Sequence, residues 1–84
     1  MLLKVKSPVF IDRLSFELNQ PQKCKLKAVL RDDKGSVCSA METELRAGQR
    51  AFDWEGLNDL PYGVYTLEIL SGAMVIKAKL VKRV

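Results

Sequence analysis

Hydrophobic and polar residues alternate along most of this chain. From Arg13 to Leu18 the alternation is strict, with Leu14, Phe16 and Leu18 on one side and Arg13, Ser15 and Glu17 on the other, the period-2 pattern of a half-buried strand. Lys23 to Arg31 repeats it, setting Cys24, Leu26, Ala28 and Leu30 against Lys23, Lys25, Lys27 and Arg31. Asp32-Asp33-Lys34-Gly35 has the composition of a type I turn closed by a glycine that can take positive φ, so Ser36 to Met41 is expected to return as the partner strand. Glu42 to Gly48 is ambiguous, since Met41-Glu42-Thr43-Glu44-Leu45 has the makeup of a single helical turn. Gln49 to Trp54 follows with Phe52 and Trp54 inward, and a loop from Glu55 to Gly63 leads into Val64 to Leu70, where Tyr65, Leu67 and Ile69 share a face. Ser71-Gly72 turns the chain into Met74 to Arg83, with Ile76, Ala78 and Leu80 inward. Leu2 to Lys6 at the start brings the expectation to seven short antiparallel strands, and strands of this length between frequent turns predict a two-sheet, all-β sandwich. Phe16, Leu26, Trp54, Tyr65, Leu67 and Leu80 are its expected core.

The length of 84 residues leaves room for one domain spanning 1–84. A hydrophobic fraction of 48% argues against disorder, and no apolar run approaches the ~20 residues of a membrane helix, so no membrane insertion is expected. Met1-Leu2-Leu3 runs at once into Lys4 and Lys6, which leaves no hydrophobic region for a secretory signal. The expectation is either a cytoplasmic protein or a domain of a longer secreted chain whose signal lies upstream. The net charge of +4 admits anionic partners but is equally a solvated basic surface. In the expected hairpin Cys38 faces residue 29 or 30, five or six positions from Cys24; that is roughly 17–20 Å, against a limit of ~7 Å between bridged Cα atoms. Buried, unbridged thiols are expected.

Candidate chemistry is sparse. The sequence has no histidine, which removes Ser-His and Cys-His nucleophile pairs and most transition-metal sites. The carboxylates pair only as Asp32-Asp33 and as Asp53 with Glu55, far short of the about 6–8 oxygens a calcium site needs. No catalytic residues, metal or cofactor are expected, and the chain is read as a non-enzyme. Lys23, Lys25 and Lys27 fall outward on one strand and Lys77 and Lys79 on the last, with Lys82 and Arg83 closing it. Nucleic-acid readers interleave such charges with exposed aromatics, whereas Phe16, Phe52, Trp54 and Tyr65 all point coreward and only Phe10 and Tyr62 sit in loops. No nucleic-acid partner is expected; outward lysines guard against edge-to-edge pairing.

The most distinctive local pattern is Pro61-x-Gly63-x-Tyr65. Pro61 and Gly63 shape a turn, and a tyrosine at the start of the following strand can bond back to the loop as a tyrosine corner, a device of immunoglobulin-like sandwiches. Taken in order, the segments go further. Ser7-Pro8-Val9-Phe10-Ile11-Asp12-Arg13-Leu14-Ser15-Phe16-Glu17-Leu18 is a proline-marked entry into an alternating strand. Val29-Leu30-Arg31-Asp32-Asp33-Lys34-Gly35-Ser36-Val37 ends a strand in an Asp-x-x-Gly turn. Leu45-Arg46-Ala47-Gly48, Trp54-Glu55-Gly56, the Pro61–Tyr65 motif and the basic Lys77-Ala78-Lys79-Leu80-Val81-Lys82-Arg83 complete the series. In this order and spacing the chain resembles the type A C-terminal sorting domain of type IX secretion system cargo. It differs in having Ser7-Pro8 for the family's Asn-Pro, Ser36 for a basic residue after the turn glycine, and Glu55 for Asp; Cys24 and Cys38 lie outside the pattern. The immunoglobulin-like domain of the flagellar hook-capping protein is similar too.

The resemblance implies a seven-stranded immunoglobulin-like sandwich at the C-terminal end of a longer secreted protein. It also implies a sorting and anchoring signal that carries an upstream cargo domain through the periplasm and across the outer membrane of a Gram-negative bacterium to the medium or cell surface. The partner it implies is the outer-membrane secretion machinery, with Pro61, Gly63, Tyr65, Lys77, Lys79, Lys82 and Arg83 as the recognition candidates. The alternative is a structural or adhesive immunoglobulin-like module with no targeting role, and a monomer or weak dimer is expected in either case.

Overall fold

The computed structural model describes residues 2–83. Among the described residues eight strands follow one another without a helix: β1 (Leu2–Val5), β2 (Val9–Phe10), β3 (Leu14–Asn19), β4 (Cys24–Arg31), β5 (Val37–Leu45), β6 (Ala51–Trp54), β7 (Gly63–Ser71) and β8 (Met74–Lys82). They form a three-stranded sheet in the order β1-β3-β6 and a five-stranded sheet in the order β2-β8-β7-β4-β5. All pairings are antiparallel except β2 with β8, which is parallel.

Alternation decides which residues face inward. Leu14, Phe16 and Leu18 of β3 and Trp54 of β6 meet Leu26 and Leu30 of β4, Tyr65, Leu67 and Ile69 of β7 and Leu80 of β8 in one buried cluster shared by both sheets. All six residues expected in the core are there. Phe16 and Phe52 stand opposite each other on β3 and β6 and stack with ring centroids 4.6 Å apart. The hairpin between β4 and β5 turns where expected: Asp32 Oδ1 accepts from the backbone N–H groups of Lys34 and Ser36, each at 2.9 Å. Gly35 takes φ +87°, a conformation that strains any residue with a Cβ.

Four expectations are corrected. Among the described residues the count is eight strands rather than seven, because the proline-marked entry contains a short strand of its own, Val9–Phe10. Lys6, Ser7 and Pro8 carry the chain from one sheet to the other, and β2 then pairs with β8 through Val81 N–H to Pro8 O (2.8 Å) and Arg83 N–H to Phe10 O (2.9 Å). Proline costs nothing at this sheet edge, since only its carbonyl is asked for. Phe10 is consequently a core residue, 4% exposed and edge-on to the Tyr65 ring, and not a loop aromatic. The 41–45 segment forms no helical turn; β5 continues to Leu45, laddered to Cys24 on β4. Finally, no disulfide joins Cys24 to Cys38, but the thiols are not both buried. Cys24 is half-buried, donating to Gln20 Oε1 at 2.9 Å. Cys38 is exposed, because the register slips between Leu30 and Arg31 and leaves it without a Cα partner on β4.

Candidate functional site

The loop that ends in Pro61-Tyr62-Gly63 enters β7 beside the last residues of β8. Gly63 lies opposite Lys82, Val64 opposite Val81 and Tyr65 opposite Leu80. Gly63 has φ +147°, which explains the glycine requirement at a point where the chain bends into the ladder. Tyr65 is 3% exposed, and its hydroxyl donates to Pro61 O at 2.6 Å, so the tyrosine corner closes as the spacing predicts. Burial pushes the Tyr65 hydroxyl above its ordinary pKa, and the acidic groups Asp32 and Asp33 add to the effect together with Cys38.

Lys82 departs from expectation: grouped by sequence with the solvated charges that close the last strand, it continues the inward alternation of Leu80 and is 3% exposed. Phe10 flanks it on β2 and Gly63 on β7. Its ammonium lies 5.4 Å from the centroid of the Tyr62 ring and donates to Arg83 O at 3.2 Å. The aromatic face and the carbonyl supply what a buried cation needs. Five of the seven recognition candidates, Pro61, Gly63, Tyr65, Lys82 and Arg83, thus gather at one end of the five-stranded sheet.

Lys77 and Lys79 lie apart from them, on the outer face farther along β8. Lys79 faces Thr66 and Lys77 faces Glu68, whose carboxylate bonds Arg31 and also lies 3.9 Å from Lys77 Nζ. The Arg31 hydrogen bond holds Glu68 below the usual glutamate range in spite of partial burial. A shallow groove lined by Arg31, Asp32, Asp33, Val64 and Lys79 joins this area to the Tyr62 loop, where a second depression shares Asp32, Asp33 and Val64. The site is a shallow, mixed-charge relief rather than a cleft. The other carboxylate pair is occupied: Arg13 reaches Asp53 at 3.9 Å and Glu55 at 3.7 Å. Among the described residues no three acidic or cysteine side chains are grouped to hold a metal.

Two features escaped the sequence reading. Tyr62 is the lid over Lys82, and its only signal was an aromatic placed between the turn's Pro61 and Gly63. Val9, Val81 and Val64 form a lateral row across β2, β8 and β7, each about 40–50% exposed; their signal was valine at outward positions of otherwise polar alternation. No family model matches the sequence, and no curated protein matches it.

Proposed function

We propose that this chain is an immunoglobulin-like sandwich that serves as a sorting and anchoring signal for an upstream secreted domain, read by the outer-membrane type IX machinery, and that it performs no catalysis. Several features support the immunoglobulin-like reading. Three- and five-stranded sheets enclose one core, the first segment divides itself between both sheets, and a tyrosine corner opens β7. The domain departs from antibody domains in lacking an inter-sheet disulfide and in carrying Trp54 on β6.

The observation that carries the sorting reading is the union of the Pro61–Tyr65 turn with the terminal strand. The Tyr65–Pro61 bond, the Gly63–Lys82 pairing and the Tyr62 ring over Lys82 join the two recognition elements into one surface. A surface of this kind exists only in the folded domain, so what is recognised is a shape.

The test fuses the domain behind a periplasm-directed reporter in a host with the type IX machinery. The reporter is expected at the surface or in the medium. Tyr62→Ala and Lys82→Met, each checked for native near-ultraviolet circular dichroism, are expected to hold it in the periplasm, while Lys23→Gln on the opposite end is expected to export normally. Periplasmic retention of the intact fusion would refute the sorting role and leave the structural module, a reading favoured by the exposed Val9–Val81–Val64 row.

A further inference from the structure

We propose that two copies of this chain associate through β5, pairing antiparallel about a twofold axis at Met41 so that the two five-stranded sheets become one continuous sheet. This goes beyond the sorting reading and does not depend on it.

The edges of the two sheets are unequal. Among the described residues the edge strands are β1, β6, β2 and β5, with 4, 4, 2 and 9 residues. Sheets protect such edges with lysine, proline, bulges or brevity. Lys4 stands on β1, Pro8 precedes β2, and β6 is short. β5, Val-Cys-Ser-Ala-Met-Glu-Thr-Glu-Leu, is long and has no lysine, proline or glycine. Its one irregularity is the register slip at the Arg31 end. Its only charges, Glu42 and Glu44, lie on the outer face opposite Lys27 and Lys25 of β4, and Lys23 Nζ reaches Glu44 at 2.7 Å. Glu44 is thus answered from within the chain, and Glu42 has Lys27 across the ladder.

The strand is also compatible with itself. With Met41 facing Met41 of the second copy, all of β5 overlaps: Val37 faces Leu45, Cys38 faces Glu44, Ser39 faces Thr43 and Ala40 faces Glu42. No like charges stand opposite one another, and Ser39 with Thr43 forms a favourable hydroxyl pair. Half-buried Met41, packed against the core margin, meets its counterpart on the inner side. Sliding by two residues shortens the ladder, and in one direction it sets Glu42 directly against Glu42. A single strand edge is a small interface, so the association is weak, with a dissociation constant of roughly 100 μM or higher.

Ala40 is exposed and provides a test that spares the fold. Sedimentation velocity of the 84-residue chain in reducing buffer, from about 10 μM to about 2 mM to bracket so small an interface, should show a concentration-dependent dimer. Ala40→Glu places a second carboxylate against Glu42 at two symmetric positions and should weaken association about tenfold; Ala40→Lys should strengthen it by a similar factor. Val81→Ser, toward the opposite edge of the sheet, should leave it unchanged. The proposal is overturned if the protein sediments as a monomer throughout, if both Ala40 variants shift association in the same direction, or if Val81→Ser abolishes the dimer.

Discussion

Tyr65 links three segments with one side chain: its ring packs beside Phe10 of β2, its backbone pairs with Leu80 of β8, and its hydroxyl closes the Pro61 turn. Tyr65→Phe keeps the ring and removes only the bond, so it should cost about 1 kcal/mol in urea denaturation. It should also change the alkaline limb of stability. The Tyr65 pKa is raised in the fold above the unfolded value of 10.0. As pH rises past that value the unfolded chain gives up a proton that the native one keeps, and stability falls. Wild type should therefore lose more stability above pH 10 than the phenylalanine variant; equal slopes would show that Tyr65 is not the group responsible. Glu68 works at the acid end, its pKa lowered from 4.5 by Arg31. The stability it contributes is present above that value and lost as pH falls below it, so Glu68→Gln should flatten the acid limb of thermal melts. Tyr65 was legible in the sequence because Pro-x-Gly-x-Tyr encodes a local geometry. Lys82 was not: at a strand's end the alternation says inward and the charge says outward, and only the neighbouring Tyr62 and Phe10 decide between them.

The element most dependent on a single residue is β2. Phe10 is 4% exposed whereas its neighbour Val9 is 40% exposed, and the strand pairs with β8 through only two Cα partners. Phe10→Ala should cost about 3 kcal/mol, near the low end for a buried aromatic because an edge strand can relax, and Val9→Ala less than about 0.5 kcal/mol. Comparable urea midpoints for the two variants would mean that β2 adds nothing to stability. A strand of this length is too short to show a period, which is why the sequence predicts only a proline-marked entry here. The long strands β3, β4, β7 and β8 were legible because each repeats its alternation several times. The second half of β5 was not, since Glu42, Thr43 and Glu44 suit a helical turn as well as a strand, and the ladder to β4 decides the matter through contacts remote in sequence.

The whole molecule measures 35 × 22 × 17 Å, and outside the β4–β5 and β7–β8 hairpins its pairings join strands that are not consecutive in the chain. Even its three-stranded sheet joins Leu14 to Trp54, so a large loop must close before that pairing forms. Such topologies fold slowly, and stopped-flow refolding is expected on a timescale of roughly milliseconds to seconds; microsecond folding would contradict the pairing order. The sequence carried the class, all-β with two sheets, but the sheet order depends on long-range register that periodicity does not record. The parallel β2–β8 pair, by which the first and last segments lie side by side, has a mechanical consequence. Tension applied between the two ends of the chain pulls these strands along their length in opposite directions. The bonds at Pro8–Val81 and Phe10–Arg83 are then loaded together in shear rather than opened one after another. A domain stretched between a tethered end and a moving one would therefore yield abruptly and at high force. In single-molecule pulling from the termini, Phe10→Ala should lower the rupture force well beyond its effect on equilibrium stability.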